Sequence, residues 1–215
     1  MNLKSRPHSE KPFPRKSRVL LLLIFAWTMG APLFAGEEPT EEDPWDRARR
    51  GGVVLLMRHA QTGASGRGPM DLEDRGTQRL LSPDGERQAA QIGRVLSEEG
   101  VDTGVVRSSR LFRARDTARL AFGEYETWDV LDALDGPGGP PPAERDRQLK
   151  ELFAGIEGEG NVVLVTHSPN VSQIIGIGAG EGWVFVLEPD GEGGFRLVGR
   201  LDIEAKVRER GQNGP

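Results

Sequence analysis

VVLLMRHAQTG, residues 53–63, sets five apolar side chains directly against an Arg-His pair. An unbroken apolar run of this length suits a strand buried on both faces, as in a parallel sheet covered by helices. A second stretch of the same design, NVVLVTH at 161–167, ends in His167. The chain has three histidines, and the third, His8, stands near the amino terminus. His59 and His167 therefore each close a buried strand, and the residues between them decide what that placement means.

Around these strands, helix and strand signals alternate. Residues 63–80 are Gly-rich and charged, hence a loop. Ser82-Pro83 gives an N-cap and a proline at the first helical position, and Ala89, Ile92, Val95 and Leu96 follow at helical spacing until Gly100 ends the helix. VDTGVVRSS (101–109) reads as a strand, LFRARDTARLAF (111–122) as a helix and TWDVLDAL (127–134) as an edge strand. GPGGPPP (136–142) is a break, followed by a polar helix to about Glu157. After His167, a short helix is expected from Asn170 to Ile177. GWVFVLEP and GFRLVGRLDI, joined by a Gly-rich turn, read as a hairpin. The alternation predicts a three-layer α/β/α sandwich with a mostly parallel central sheet.

At 215 residues there is room for one such domain, expected over 52–204, with a polar tail at 205–215. Residues 1–35 combine six basic side chains with the apolar run 19–35, the layout of a secretory signal peptide or N-terminal anchor. Gly30 and Pro32 interrupt the run, and Leu33 stands three residues back from the cut expected after Ala35. The expectation is export, periplasmic or secreted, with membrane association only if the leader stays uncleaved. Residues 36–51 read as an acidic, Pro-containing spacer. Six bases and one acid in the leader leave residues 36–215 at −10, against −5 for the whole chain. That charge opposes nucleic acid as a partner, so any anion site must be a local cluster of arginines. With no cysteine there is neither a disulfide nor a lipid-modified Cys.

RHAQT, SSRLFRARDTA and THSPN each follow a predicted strand, at the sheet edge where open α/β folds bind ligands. An imidazole beside guanidinium groups is kept neutral, and a neutral imidazole is a nucleophile. Arginine forks match phosphate oxygens and stabilise a phosphoryl group in transfer. Arg58, His59, Arg113 and His167 thus suit the transfer of a phosphoryl group to His59 and then to water.

RHAQTG (58–63), LSPDGERQA (81–89), SRLFRARDTA (109–118) and VVLVTHSPNV (162–171) together resemble, in order, the motif blocks of the histidine phosphatase superfamily, branch 1. This is the RHG-motif branch related to the phosphoglycerate mutases; Ala60 stands in place of the motif's glycine. The resemblance implies a phosphoglycerate mutase-like fold and a metal-independent phosphatase without cofactor, acting on a small-molecule phosphoester. It makes His59 the phosphorylated residue, held with Arg58, Arg113 and His167 around the phosphate. Thr62 and Arg79 are further candidates for substrate contact.

The chain departs from the family at the general acid. The glutamate expected two residues past a leucine is Ala133 here, after Leu131. Asp132 is the candidate in its place, with Asp135, Asp71 and Asp74 as the other carboxylates within reach. A non-catalytic, exported anion-binding or phosphoester-binding protein that has lost its acid is the alternative. Zinc on the two histidines is opposed by the adjacent arginines, and Ser168 lacks a nucleophile elbow. A mutase is disfavoured by the short loop, and protein phosphohistidine hydrolysis by export. Oligomeric state is left open.

Overall fold

Val54–Arg58 forms β1, the strand around which the sheet is built. The computed structural model describes residues 42–212 except Ser65, Glu157 and Glu159. The leader expected over 1–35 lies outside these residues. Successive β1 side chains point to opposite faces, so Leu55 and Met57 enter one core while Val54 and Leu56 enter the other. Helices α2 (Pro83–Glu98), α3 (Phe112–Phe122) and α6 (Ile203–Gln212) contribute to the first core. Helices α4 (Pro142–Ala154) and α5 (Ser168–Ile175) contribute to the second. Two helical layers on one sheet are the expected sandwich.

The remaining strands are β2 (Val105–Ser108), β3 (Glu126–Thr127), β4 (Val162–Thr166), β5 (Val184–Pro189) and β6 (Phe195–Leu201). They lie in the order β3-β2-β4-β1-β5-β6. The first four are mutually parallel, so their carboxyl ends share one rim. The β5–β6 hairpin adds on antiparallel, and its start comes back to that same rim beside Met57.

Three stretches differ from the sequence reading. The spacer expected over 36–51 holds a helix, α1 (Pro44–Arg49), in its described part. Asp43 caps it by accepting from the Trp45 N–H at 2.8 Å, and Trp45 and Ala48, three residues apart, are buried in the first core. Its acidic surroundings hid this pair. The polar tail expected over 205–215 is mostly α6: Asp202 accepts from the Ala205 N–H, and Arg210 and Lys206 reach Glu99. The edge strand expected over 127–134 is reduced to two residues. Beyond Trp128, Asp129–Leu131 turn as a 3-10 helix. Arg145 takes the carbonyls of Val130 and Asp132, and Thr166 Oγ1 donates to that of Leu131 at 2.7 Å. These donors draw the chain across the end of β4, away from β2. Among the described residues no helix is long and apolar enough to cross a membrane.

Candidate active site

His59 follows β1 and is stitched on both sides. Its N–H donates to the Thr166 carbonyl of β4 (2.9 Å), and its carbonyl accepts from the Gly182 N–H (3.0 Å). The ring is 2% exposed. Nδ1 lies 2.8 Å from the Ala60 carbonyl, so it carries the hydrogen and Nε2 keeps its lone pair. The next turn is coupled to α3 by one hydroxyl. Thr117 Oγ1 accepts from the Ala60 N–H (3.0 Å) and donates to the carbonyl of Arg113 (2.7 Å). The loop also lies directly against α2, where a Cβ at Gly85 would stand 1.8 Å from the Gln61 oxygen. Only glycine permits that approach.

His167 closes β4, its ring centroid 5.3 Å from that of His59. The Ser109 hydroxyl donates to Asp132 (3.0 Å), so its oxygen accepts from His167 Nε2–H at 2.8 Å. Nδ1 of His167 is then a buried lone pair without a partner among the described residues. Arg58 Nε and Arg113 Nε are likewise buried without a partner among the described residues. Leaving a buried polar group unpaired costs about 1–3 kcal/mol, and an anion accepting from the two arginine Nε–H groups would offset that cost.

Both imidazoles are held neutral. Burial is the main cause for His59, with Arg113, Arg58 and Arg79 adding to it against the Ala60 hydrogen bond, and its pKa falls to about 3. His167 lies well below its ordinary value, through burial first and then Arg113, His59, Arg58 and Arg79. Burial and the neighbouring Arg79 and Arg58 lower Arg113 to about 10, which leaves it charged at neutral pH. Arg58 is lowered by burial and fixed by donating to the Ala179 carbonyl at 2.7 Å. The structure thus brings His59, His167, Arg58, Arg113 and Arg79 into one field. Thr62 joins them through Glu181: its hydroxyl donates to Glu181 Oε1 (2.7 Å), and that carboxylate stands 3.5 Å from Arg58 and 3.7 Å from Arg79.

Asp132 is not placed as a general acid. It is fully buried and accepts from Ser109 Oγ, the Arg110 N–H (2.7 Å), Arg110 Nε (2.7 Å) and Arg110 Nη2 (2.6 Å). Four donors fill the acceptor sites of a carboxylate, so Asp132 orients His167 through Ser109 instead. Asp71 and Asp74 accept from backbone N–H groups of their own loop. Asp135 is exposed, and its charge acts on Arg113. Sequence reasoning missed Glu181 altogether, and did not single out Ser109 or Thr117, although both sit inside the quoted SRLFRARDTA block. No grouping of three carboxylates or histidines among the described residues is placed to hold a metal ion.

The resemblance drawn from the motifs is found again in comparison with known proteins. The family model of the histidine phosphatase superfamily (branch 1) matches residues 54–155, which include His59 and Arg113 but stop short of His167. No curated protein sequence matches the chain. Among solved structures, the protein histidine phosphatase SixA complexed with tungstate aligns with TM-score 0.52 at 17% identity, covering 71% of this chain and 98% of that one. A SixA-type phosphohistidine phosphatase structure from Agrobacterium tumefaciens aligns at 0.50 and 22%, covering 69% and 96%. A phosphoserine phosphatase mutant from Entamoeba histolytica, in complex with phosphoserine, aligns at 0.51 and 15%, covering 71% and 98%. At these identities the likeness is one of fold.

Proposed function

We propose, from the match of residues 54–155 to the histidine phosphatase superfamily (branch 1), that this chain hydrolyses a phosphomonoester through a phosphohistidine on His59. The observation that carries the reading is the neutral, buried His59, with Nε2 free, among three arginines and a second neutral histidine. In the first step the Nε2 lone pair attacks phosphorus and the P–O ester bond breaks, its electron pair leaving with the ester oxygen. Arg58 and Arg113 hold the transferring group and spread its charge, and His167 becomes a third donor when the bound phosphate draws a proton onto its Nδ1. Asp135, at the rim in the field of Arg113, enters the step as the protonated acid, gives its proton to the leaving oxygen and is left as a carboxylate. It then takes a proton from the water that attacks the phosphohistidine and releases inorganic phosphate.

The names of the structural neighbours, a protein histidine phosphatase and a phosphoserine phosphatase, support phosphoester or phosphoramidate chemistry in general terms. The leader read at 1–35 supports export of the protein, and with it a substrate outside the cytoplasm. The test is release of p-nitrophenol from p-nitrophenyl phosphate by the purified protein with EDTA present. Turnover that survives EDTA and is lost in His59→Ala is the expected result. Equal turnover in the mutant overturns the mechanism. No turnover on any activated ester, with phosphate still bound, moves the protein to the anion-binding alternative.

A further inference from the structure

Glu181 puts a carboxylate among the groups assigned above to phosphate. It lies in the loop leading into β5, and its backbone is tied down. Its carbonyl accepts from Gln88 Nε2 (3.0 Å), and the following Gly182 N–H donates to the carbonyl of His59 (3.0 Å). Its side chain is held more weakly. Oε1 accepts from the Thr62 hydroxyl (2.7 Å) and the Thr62 N–H (3.3 Å), but reaches Arg58 and Arg79 only as charges at 3.5 and 3.7 Å. Arg58 does not depend on it for position, being fixed by the Ala179 carbonyl. Partly exposed pairs of this kind stabilise little, so an anion with more oxygens can replace the carboxylate.

There is room for it to move. Glu181 also lines a cavity of about 320 Å³ between α2, β6 and α6. Arg200 also lines it, its guanidinium 4.3 Å over the Trp183 ring and 3.7 Å from Asp202.

We propose that Glu181 is an internal competitor for phosphate, its carboxylate taking Thr62, Arg58 and Arg79 when the site is empty and yielding them to incoming phosphate by turning toward that cavity. The inference rests on the reading that these side chains bind phosphate. Its consequence is a lowered affinity for inorganic phosphate, which eases product release.

The test is calorimetric titration of inorganic phosphate into the wild-type protein, Glu181→Gln and Glu181→Ala, with thermal melts to show that each is folded. Glutamine keeps the shape and removes the charge. Both variants should bind phosphate about tenfold more tightly, equivalent to about 1.4 kcal/mol, and Arg79→Ala added to Glu181→Gln should remove most of the gain. Unchanged or weaker binding in both variants overturns the proposal, as does an absence of phosphate binding in all proteins. A Glu181→Gln protein with wild-type phosphate affinity and slowed turnover of alkyl phosphates also overturns it, and makes Glu181 a proton donor instead. Because the readout is binding, tighter phosphate in Glu181→Gln stands even if no ester is hydrolysed, in which case it is the phosphatase reading that fails.

Discussion

Two aspartates three residues apart, Asp132 and Asp135, show what a single residue's surroundings do to its role. Counting from the strand end brings both to the rim, and nothing in their spacing separates them. What separates them is Arg110, whose backbone and guanidinium saturate Asp132, with Ser109 taking the last acceptor site. A neighbour's hydrogen-bond partners cannot be read from a motif. Asp132→Asn should lower the melting temperature, with a loss of roughly 2 kcal/mol, below the 3–5 kcal/mol of a wholly buried pair because Arg110 is partly exposed. Asp135→Asn should leave the melt unchanged. It should slow hydrolysis of an alkyl phosphate about 100-fold while affecting p-nitrophenyl phosphate far less, since a good leaving group needs little acid assistance. Kinetics on both esters and thermal melts of both variants check this; the reverse pattern would return the acid role to Asp132. Glu181 was illegible for a different reason: it belongs to a Gly-rich loop with no pattern, and only the return of β5 to the rim brings it to Thr62.

At the scale of elements, the apolar runs made β1 and β4 legible, and the Ser82-Pro83 start made α2 legible. The same capping signal, Asp43-Pro44, stood at the head of α1, but a helix of six residues shows too little periodicity to outweigh its acidic context. The expected edge strand failed because Arg145 and Thr166, both distant in sequence, capture its carbonyls. Contact between elements is what makes Gly85 matter. A Cβ there meets the Gln61 oxygen at 1.8 Å, a backbone atom that cannot step aside alone. Gly85→Ala should therefore push α2 away from the His59 loop and cut turnover at least about tenfold, with a loss of stability of about 1–3 kcal/mol. Kinetics and denaturant unfolding measure the two effects, and an unperturbed variant would contradict the packing described. Gly93→Ala, which meets Ala121 at 1.8 Å away from the site, separates a general α2 displacement from a local one.

Across the whole molecule, the site imposes a pH dependence on folding. His59 and His167 are neutral in the folded protein, with depressed pKa values, while the unfolded chain protonates both near 6.5. Below that value the unfolded state takes up protons that the folded state refuses, so stability falls with pH. The loss from His59 runs from about pH 6.5 down to about 3, at about 1.4 kcal/mol per unit of depression. The melting temperature should drop steeply between pH 7 and 4, and His59→Gln should flatten that slope. An unchanged slope would mean that His59 is not buried neutral. The three-layer sandwich and the meeting of Arg58, His59, Arg113 and His167 at its rim were both legible, because each motif follows a strand of one parallel set whose carboxyl ends share a rim. The helices at either end of the described chain were not, since polar composition conceals the few apolar contacts that dock them.

Phosphate that passes through His59 can be trapped there. Brief reaction with a radiolabelled aryl phosphate, an alkaline quench that preserves phosphohistidine, and peptide mapping would locate the label. The expected result is an acid-labile phosphoryl group on the peptide carrying His59, lost in His59→Ala together with turnover. Turnover without label, persisting in His59→Ala, would contradict it.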